Sequence, residues 1–163
     1  MDHTETLVGV AEISLGLAGF SGIVTVLQFR GSWHPWDAFR TTILLIIGFG
    51  ALILSLIPVA IQSFGVSGTV VWRMSSAVML TYLIISTIVG QRLMKPLATE
   101  AIPHFRSVMA VFWGITATNC LIQLLNALAV GIPGVFAGFF LGLLCLLLLG
   151  AIQFVAILLI RPR

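Results

Sequence analysis

Five long apolar runs dominate this chain of 163 residues and constrain its fold more than any other feature. A helix needs roughly 20 mostly apolar residues to cross a hydrocarbon layer of about 30 Å, and each run reaches that length. The runs are continuous rather than alternating, which favours helices over the strands of a membrane barrel. We therefore predict one all-α domain over residues 1–163, an integral membrane bundle with five transmembrane helices over Leu7–Phe29, Ala38–Phe64, Val70–Met94, Phe105–Val130 and Val135–Ile160.

The composition leaves little of the chain outside this bundle. Only 8% of the residues are charged, and the mean hydropathy is +1.17. Water-soluble globular chains carry about 25% charged residues, so we expect no separate soluble catalytic domain within these residues. The net charge of +3 is not gathered into a basic patch with interleaved aromatic side chains. We expect the lipid bilayer as the main partner of this protein, and no nucleic acid.

The positive charges indicate an orientation in the membrane. The acidic start MDHTET and the linkers FGVSGT and GIPG contain no Lys or Arg. Short loops rich in Lys and Arg stay in the cytoplasm, so we predict an outer N-terminus and an inner C-terminus. The predicted location is a bacterial inner (plasma) membrane. Seven of the eight Lys and Arg residues lie on the predicted inner side: Arg30, Arg40, Arg92, Lys95, Arg106, Arg161 and Arg163.

Glu12 is the only carboxylate inside any predicted span. A carboxylate in a membrane is costly and indicates a proton carrier, a cation site or a counter-ion. Alternatively, Glu12 is close enough to the end of its helix for its carboxylate to reach water or to form a structural ion pair. Arg73 lies three residues into the third span, in the same outer layer, so the two residues are candidates for an ion pair. Alternatively, Arg73 extends to the membrane surface.

A polar stripe follows the fourth span. Thr116, Asn119, Gln123 and Asn126 are offset by three, four and three residues, which places them on one helical face. Such a stripe either lines an aqueous path or hydrogen-bonds neighbouring helices. In the first case Asn119, Gln123 and Asn126 join Glu12 and Arg73 as candidate transport residues.

Small residues recur at every fourth position in the segments GLAGFSG and GVFAGFFLG. Stripes of this kind let a second helix backbone approach closely. The pattern does not say whether that backbone belongs to the same chain or to a second copy. The candidate packing residues are Ser14, Ala18 and Gly22 in the first span, and Gly134, Gly138 and Gly142 in the fifth.

The reactive side chains do not form a pattern typical of an enzyme. His3, His34 and His104 lie outside the spans, which leaves no pair of histidines to bind a membrane haem. Motifs such as H-E-x-x-H, the P-loop and G-x-S-x-G do not occur. We expect no catalytic residue, no metal ligand and no cofactor. Cys120 and Cys145 lie inside spans and are expected to be small buried apolar residues.

The segment AEISLGLAGFSGIV in the first span resembles the start of an uncharacterised family of small bacterial multi-pass membrane proteins. This resemblance implies a multi-pass helical fold and brings no activity or site residues with it. The Glu in the first span is also similar to that of small multidrug-resistance transporters. This chain departs from them in span number, length and linkers, so their mechanism is not carried over.

Two functions of different classes fit these features. In the first, the protein is a small homo-oligomeric channel or transporter for an ion or solute, with Glu12, Arg73 and the fourth-span stripe along its path. In the second, it is a non-catalytic accessory or assembly subunit of a larger membrane complex. The first predicts a polar face turned to a wet cavity, and the second predicts that this face is buried dry and that the glycine stripes pack against a foreign partner.

Overall fold

The computed structural model describes residues 3–28, 35–97, 105–131 and 135–159, which form five long helices. Each helix is long and apolar enough to cross a membrane, and these ranges contain no strand. The predicted all-α fold with five membrane-length helices is thus confirmed. A short 3₁₀ helix, Lys95–Leu97, follows the third. The long helices are α1 Thr4–Gln28, α2 Pro35–Ser63, α3 Thr69–Met94, α4 Phe105–Leu128 and α5 Phe136–Leu159.

Local sequence explains where α2 and α3 begin and end. Helix α2 starts at Pro35, whose fixed φ suits a first turn, and Asp37 in that turn complements the positive end of the helix dipole. Gly65 and Gly68 follow α2 with φ of 82° and 68°, which side chains with a Cβ rarely adopt. Pro58 lies within α2 without ending it.

Four of the helices form a closed ring. Each of α2, α3, α4 and α5 packs against the next, and α5 also packs against α2. Helix α1 lies outside this ring, mainly against α2 and partly against α5. One side of α1 therefore faces the ring, and the opposite side contacts no other described helix.

Aromatic contacts align three of the helices at one end of the bundle. His3 stacks on Phe136 with ring centroids 3.8 Å apart and lies edge-on to Trp72 at 5.6 Å. Helices α1, α3 and α5 therefore begin at the same end, which we call the His3 end. Helices α2 and α4 begin at the other end, here the Asp37 end.

The core runs through the middle of the ring. Leu44 and Ala51 of α2, Met79 of α3, and Phe139 and Leu143 of α5 have no exposed surface. Burial of such side chains is the usual source of packing energy within a helical membrane bundle. The polar residues of α4 point into this apolar core, where each polar atom needs a partner.

Candidate functional site

The polar stripe of α4 lies inside the ring, against α5. Asn119, Gln123 and Asn126 have no exposed surface. Asn119 Nδ2 donates to the carbonyl oxygen of Gly142 at 3.1 Å, and Gln123 Nε2 donates to that of Gly138 at 3.0 Å. Gln123 Nε2 also donates to Asn119 Oδ1 at 3.3 Å. The geometry is that of hydrogen-bonded helix packing, the second of the two interpretations of this stripe.

Gly138 and Gly142 provide the space that these amides occupy. A Cβ added to Gly138 would lie 2.9 Å from Cγ of Asn126, and one added to Gly142 would collide with Nε2 of Gln123. Any side chain at these positions would push the amides away from the α5 carbonyls. Both glycines therefore pack within the chain, while Gly134 lies outside the described residues.

Asn126 joins three helices near the His3 end. Its Nδ2 donates to Ser76 Oγ at 2.7 Å and to the Val135 carbonyl oxygen at 3.2 Å. Its Oδ1 accepts from the Val135 backbone nitrogen at 2.9 Å. One side chain thus ties α3 and α4 to the residue before α5. Sequence analysis missed Ser76, although two adjacent serines in an apolar run are a polar signal.

Arg73 does not pair with Glu12 in this structure. Arg73 Nε donates instead to the carbonyl oxygen of Ala127, near the end of α4. Arg73 follows Trp72, which contacts His3, so it lies level with the start of α1. Glu12 is nine residues beyond His3, about 13 Å further along the helix. The two residues therefore do not lie at the depth that the sequence predicted for both. That prediction assumed that the first and third spans start at the same level, and they do not.

The first-span packing residues meet different surroundings. Ser14 is fully buried and Ala18 is 3% exposed. A Cβ added to Gly48 of α2 would lie 3.1 Å from the Ala18 Cβ, so these two residues mark the close approach of α1 and α2. Among the described atoms, none lies within 4 Å of a Cβ added to Gly22, so no described backbone packs there. Gly48 was missed because a lone glycine in an apolar run forms no stripe.

Glu12 lies on the side of α1 that faces away from the ring. Its side chain is exposed, and no ion pair or hydrogen bond of this carboxylate occurs among the described residues. Helical periodicity places four other residues on the same side, each three or four positions apart. We call this set the Glu12 face: Glu5, Gly9, Glu12, Gly16 and Gly19.

The Glu12 face is a shallow groove. A Cβ added to Gly9, Gly16 or Gly19 would meet no atom of the described residues within 4 Å. Large apolar side chains border the glycines on both sides and are themselves exposed, Ile13 by 61% and Phe20 by 58%. An acidic side chain therefore stands in a glycine groove with apolar edges, and no described residue covers it.

The described residues contain no cluster of three or more His, Cys, Asp or Glu side chains that could hold a metal ion. Cys120 and Cys145 are half-buried free thiols. The two thiols do not form a disulfide with each other.

We compared the chain with models of known protein families, with curated proteins and with solved structures, and found no match. The arguments on function therefore rest on the geometry of the chain itself.

Proposed function

We propose that this protein is a non-catalytic accessory subunit of a membrane protein complex, and that it binds another transmembrane helix through the Glu12 face. The support begins with five helices of membrane length and apolarity. The amides of α4 are already engaged by α5. Among the carboxylates of the described helices, Glu12 alone lies well inside a span and facing outward.

The position of the Glu12 carboxylate carries this proposal. At about 13 Å from the level of His3, it would lie near the middle of a hydrocarbon layer about 30 Å thick. A charged side chain at that depth costs about 3 kcal/mol or more when it faces lipid. An opposite charge on a second helix offsets part of that cost, so the exposed face favours association over a solitary chain.

The chemistry of the face selects the partner: a transmembrane helix with one Lys or Arg at matching depth. The glycines allow that helix to approach closely, and the charge pair fixes its height. A second copy of α1 suits the face less well, because two Glu12 carboxylates would then oppose each other.

The proposed orientation follows the positive charges, with the His3 end outside and the Asp37 end in the cytoplasm of a bacterial inner membrane. The cationic residue of the partner would then lie slightly to the outer side of the membrane centre.

The test uses synthetic apolar helical peptides of about 24 residues, a length that spans a bilayer. Three peptides carry Lys, Leu or Glu at the central position, and binding to the protein in nanodiscs is followed by fluorescence energy transfer. We expect the Lys peptide to bind at least tenfold more tightly than the Leu peptide, and the Glu peptide to bind least. Glu12→Gln should remove the preference for Lys.

Glu5→Gln is the matched control, because Glu5 lies on the same face but in the first turn of α1. It should leave the preference for the Lys peptide intact. Equal binding of the Lys and Leu peptides to the native chain would contradict the proposal. In cells, a native partner identified by co-purification should lose binding to Glu12→Lys and regain it when its own cation is changed to Glu.

A homo-oligomeric channel or transporter is the second candidate, and the outward position of Glu12 is the observation that favours it. Copies arranged around an axis with α1 innermost would form a ring of carboxylates, a common cation filter. Such a path would run between copies and not along the α4 stripe. Cation flux into liposomes that disappears in Glu12→Gln would favour this candidate, provided that the native protein elutes as an oligomer.

A further inference from the structure

The spacing of the residues on the Glu12 face restricts how a second helix can lie against it. These residues follow one another in steps of four, three, four and three: Glu5, Gly9, Glu12, Gly16 and Gly19. Such steps repeat every 3.5 residues, whereas a straight helix turns once in about 3.6 residues. A contact with that repeat is made by two helices that cross at about 20° in the left-handed arrangement of coiled coils.

The ring-facing side of α1 has the same repeat and is already covered by a helix. Its buried residues also follow in steps of four, three, four and three: Leu7, Ala11, Ser14, Ala18 and Ser21. Helix α1 packs mainly against α2, and a Cβ added to Gly48 of α2 would lie 3.1 Å from the Ala18 Cβ. A side of α1 with this spacing and small residues therefore supports close helix packing in this chain.

Two carboxylates with equal surroundings in sequence mark the Glu12 face. Glu5 and Glu12 are both exposed, and neither forms an ion pair or hydrogen bond with a described residue. They lie seven positions apart, which is about 10.5 Å along the helix. Between them lies Gly9, where an added Cβ would meet no described atom within 4 Å. The face thus offers two negative charges with room for a large side chain between them.

We infer that the partner helix carries two Lys or Arg residues seven positions apart, with a large apolar side chain between them, and that it crosses α1 at the left-handed angle of about 20°. This inference rests on the proposed function, because it specifies the partner of the same face. One cation pairs with Glu12 in the hydrocarbon layer. The other pairs with Glu5, in the first turn of α1, where water and salt weaken the attraction.

The spacing of seven is specific because it returns the second cation to the same side of the partner helix. Seven residues turn a helix through about 700°, which is within about 20° of two full turns. Nine residues turn it through about 900°, so a second cation at that spacing points away from α1. Both spacings place the second cation near the membrane surface.

The test measures binding of synthetic apolar helical peptides of about 24 residues to the protein in nanodiscs, by fluorescence energy transfer. One peptide has a single central Lys, and the other two have a second Lys seven or nine positions from it. We expect the peptide with the spacing of seven to bind about twofold to fivefold more tightly than the other two. This gain should disappear at about 1 M salt.

The peptide with the spacing of nine has the same net charge and controls for general attraction. Equal binding of the two double-Lys peptides, while the single-Lys peptide still binds better than the Leu peptide, would overturn this inference and leave the proposed function intact. Equal binding of the single-Lys and Leu peptides would contradict the proposed function itself.

Variants of Glu5 test whether the position of its charge matters. Glu5→Gln should remove the gain from the second Lys and leave binding of the single-Lys peptide unchanged. The double variant Glu5→Gln with Thr6→Glu keeps the net charge but moves the carboxylate about 100° around the helix. Thr6 is exposed, and this variant should also lose the gain. A gain that persists in either variant would contradict the pairing with Glu5.

A glycine variant tests the close contact of the two helices. Gly16→Leu fills the Glu12 face and should weaken binding of every Lys peptide by about tenfold or more. Gly114→Leu makes the same change at an exposed glycine of α4 and should bind like the native chain. A Cβ at either position meets no described atom within 4 Å, so both variants should fold. Equal binding by the two variants would show that the partner does not pack on the Glu12 face.

Discussion

At the scale of single residues, the absence of a side chain at Gly142 is what lets two long amides hydrogen-bond a neighbouring helix. Asn119 reaches the Gly142 carbonyl oxygen, and Gln123 reaches that of Gly138 one turn earlier. Small residues at membrane helix contacts usually serve backbone proximity alone. Here they also expose carbonyl oxygens to polar side chains from α4, so the two sequence stripes form a single contact.

Substitution of Gly142 should therefore be severe. In Gly142→Leu the new side chain must displace the side chains of Gln123 and Met79. This displacement breaks the hydrogen bonds of Gln123 and overpacks the core. We expect a loss of about 3 kcal/mol or more in the free energy of unfolding, measured by denaturant titration in detergent micelles. Ala137→Leu creates the same side chain at an exposed position of α5 and should change stability by less than about 0.5 kcal/mol. Equal losses for both variants would mean that Gly142 has no special packing role.

The contact between Asn126 and Ser76 should be measurable as a coupling. The two side chains lie 2.7 Å apart and are both fully buried. A double-mutant cycle with Asn126→Ala and Ser76→Ala should give an interaction energy of about 0.6–1.7 kcal/mol, the range for such bonds in membrane proteins. Ser63→Ala, at an exposed site, should add to Asn126→Ala without coupling. A cycle that closes to zero would show that the bond contributes nothing.

At the scale of helices, the position of one helix along another decides which charges meet. Helices α1 and α3 both begin at the His3 end, yet Arg73 lies in the second turn of its helix and Glu12 in the third turn of its own. The aromatic contacts of His3 with Trp72 and Phe136 set this offset. The position of a residue within an apolar run is a poor guide to its depth in the bundle. Different runs start at different distances from the common end of the helices.

Glu12 and Arg73 should consequently act independently. We expect the effects of Glu12→Gln and Arg73→Met on unfolding free energy to add within about 0.3–0.5 kcal/mol. Arg73→Met removes the hydrogen bond to the Ala127 carbonyl oxygen. We therefore expect its loss of unfolding free energy to come from the contact between α3 and the end of α4, not from Glu12. A coupling energy above about 1 kcal/mol would instead restore the ion pair that the sequence suggested.

The sequence was sufficient to predict the five helices and the side of the fourth helix that is polar. Continuous apolar length predicted five helices, and steps of three and four placed Asn119, Gln123 and Asn126 on one face. It was not sufficient for what each face meets. Periodicity does not identify a neighbour. The pairing of the α4 amides with Gly138 and Gly142, and the contact of Ala18 with Gly48, therefore needed the three-dimensional structure.

At the scale of the whole molecule, an odd number of helices places the start of α1 at the His3 end and the end of α5 at the Asp37 end. The clustered Lys and Arg residues then predict a cytoplasmic C-terminus. A green fluorescent protein fused after Arg163 should be bright, and alkaline phosphatase fused at the same point should be inactive. Active phosphatase would reverse the proposed orientation and with it the depth assigned to the partner of Glu12.

The place of α5 in the bundle also has a consequence for biosynthesis. It contacts each of the other four helices, and it leaves the ribosome after them. Until it arrives, the amides of α4 have no carbonyl partners on α5. At about 5–20 residues per second, translation from Ala129 to Leu159 takes a few seconds. A chain that ends before α5 therefore leaves Asn119 and Gln123 without their α5 carbonyl partners, whereas Asn126 keeps its hydrogen bond to Ser76 of α3.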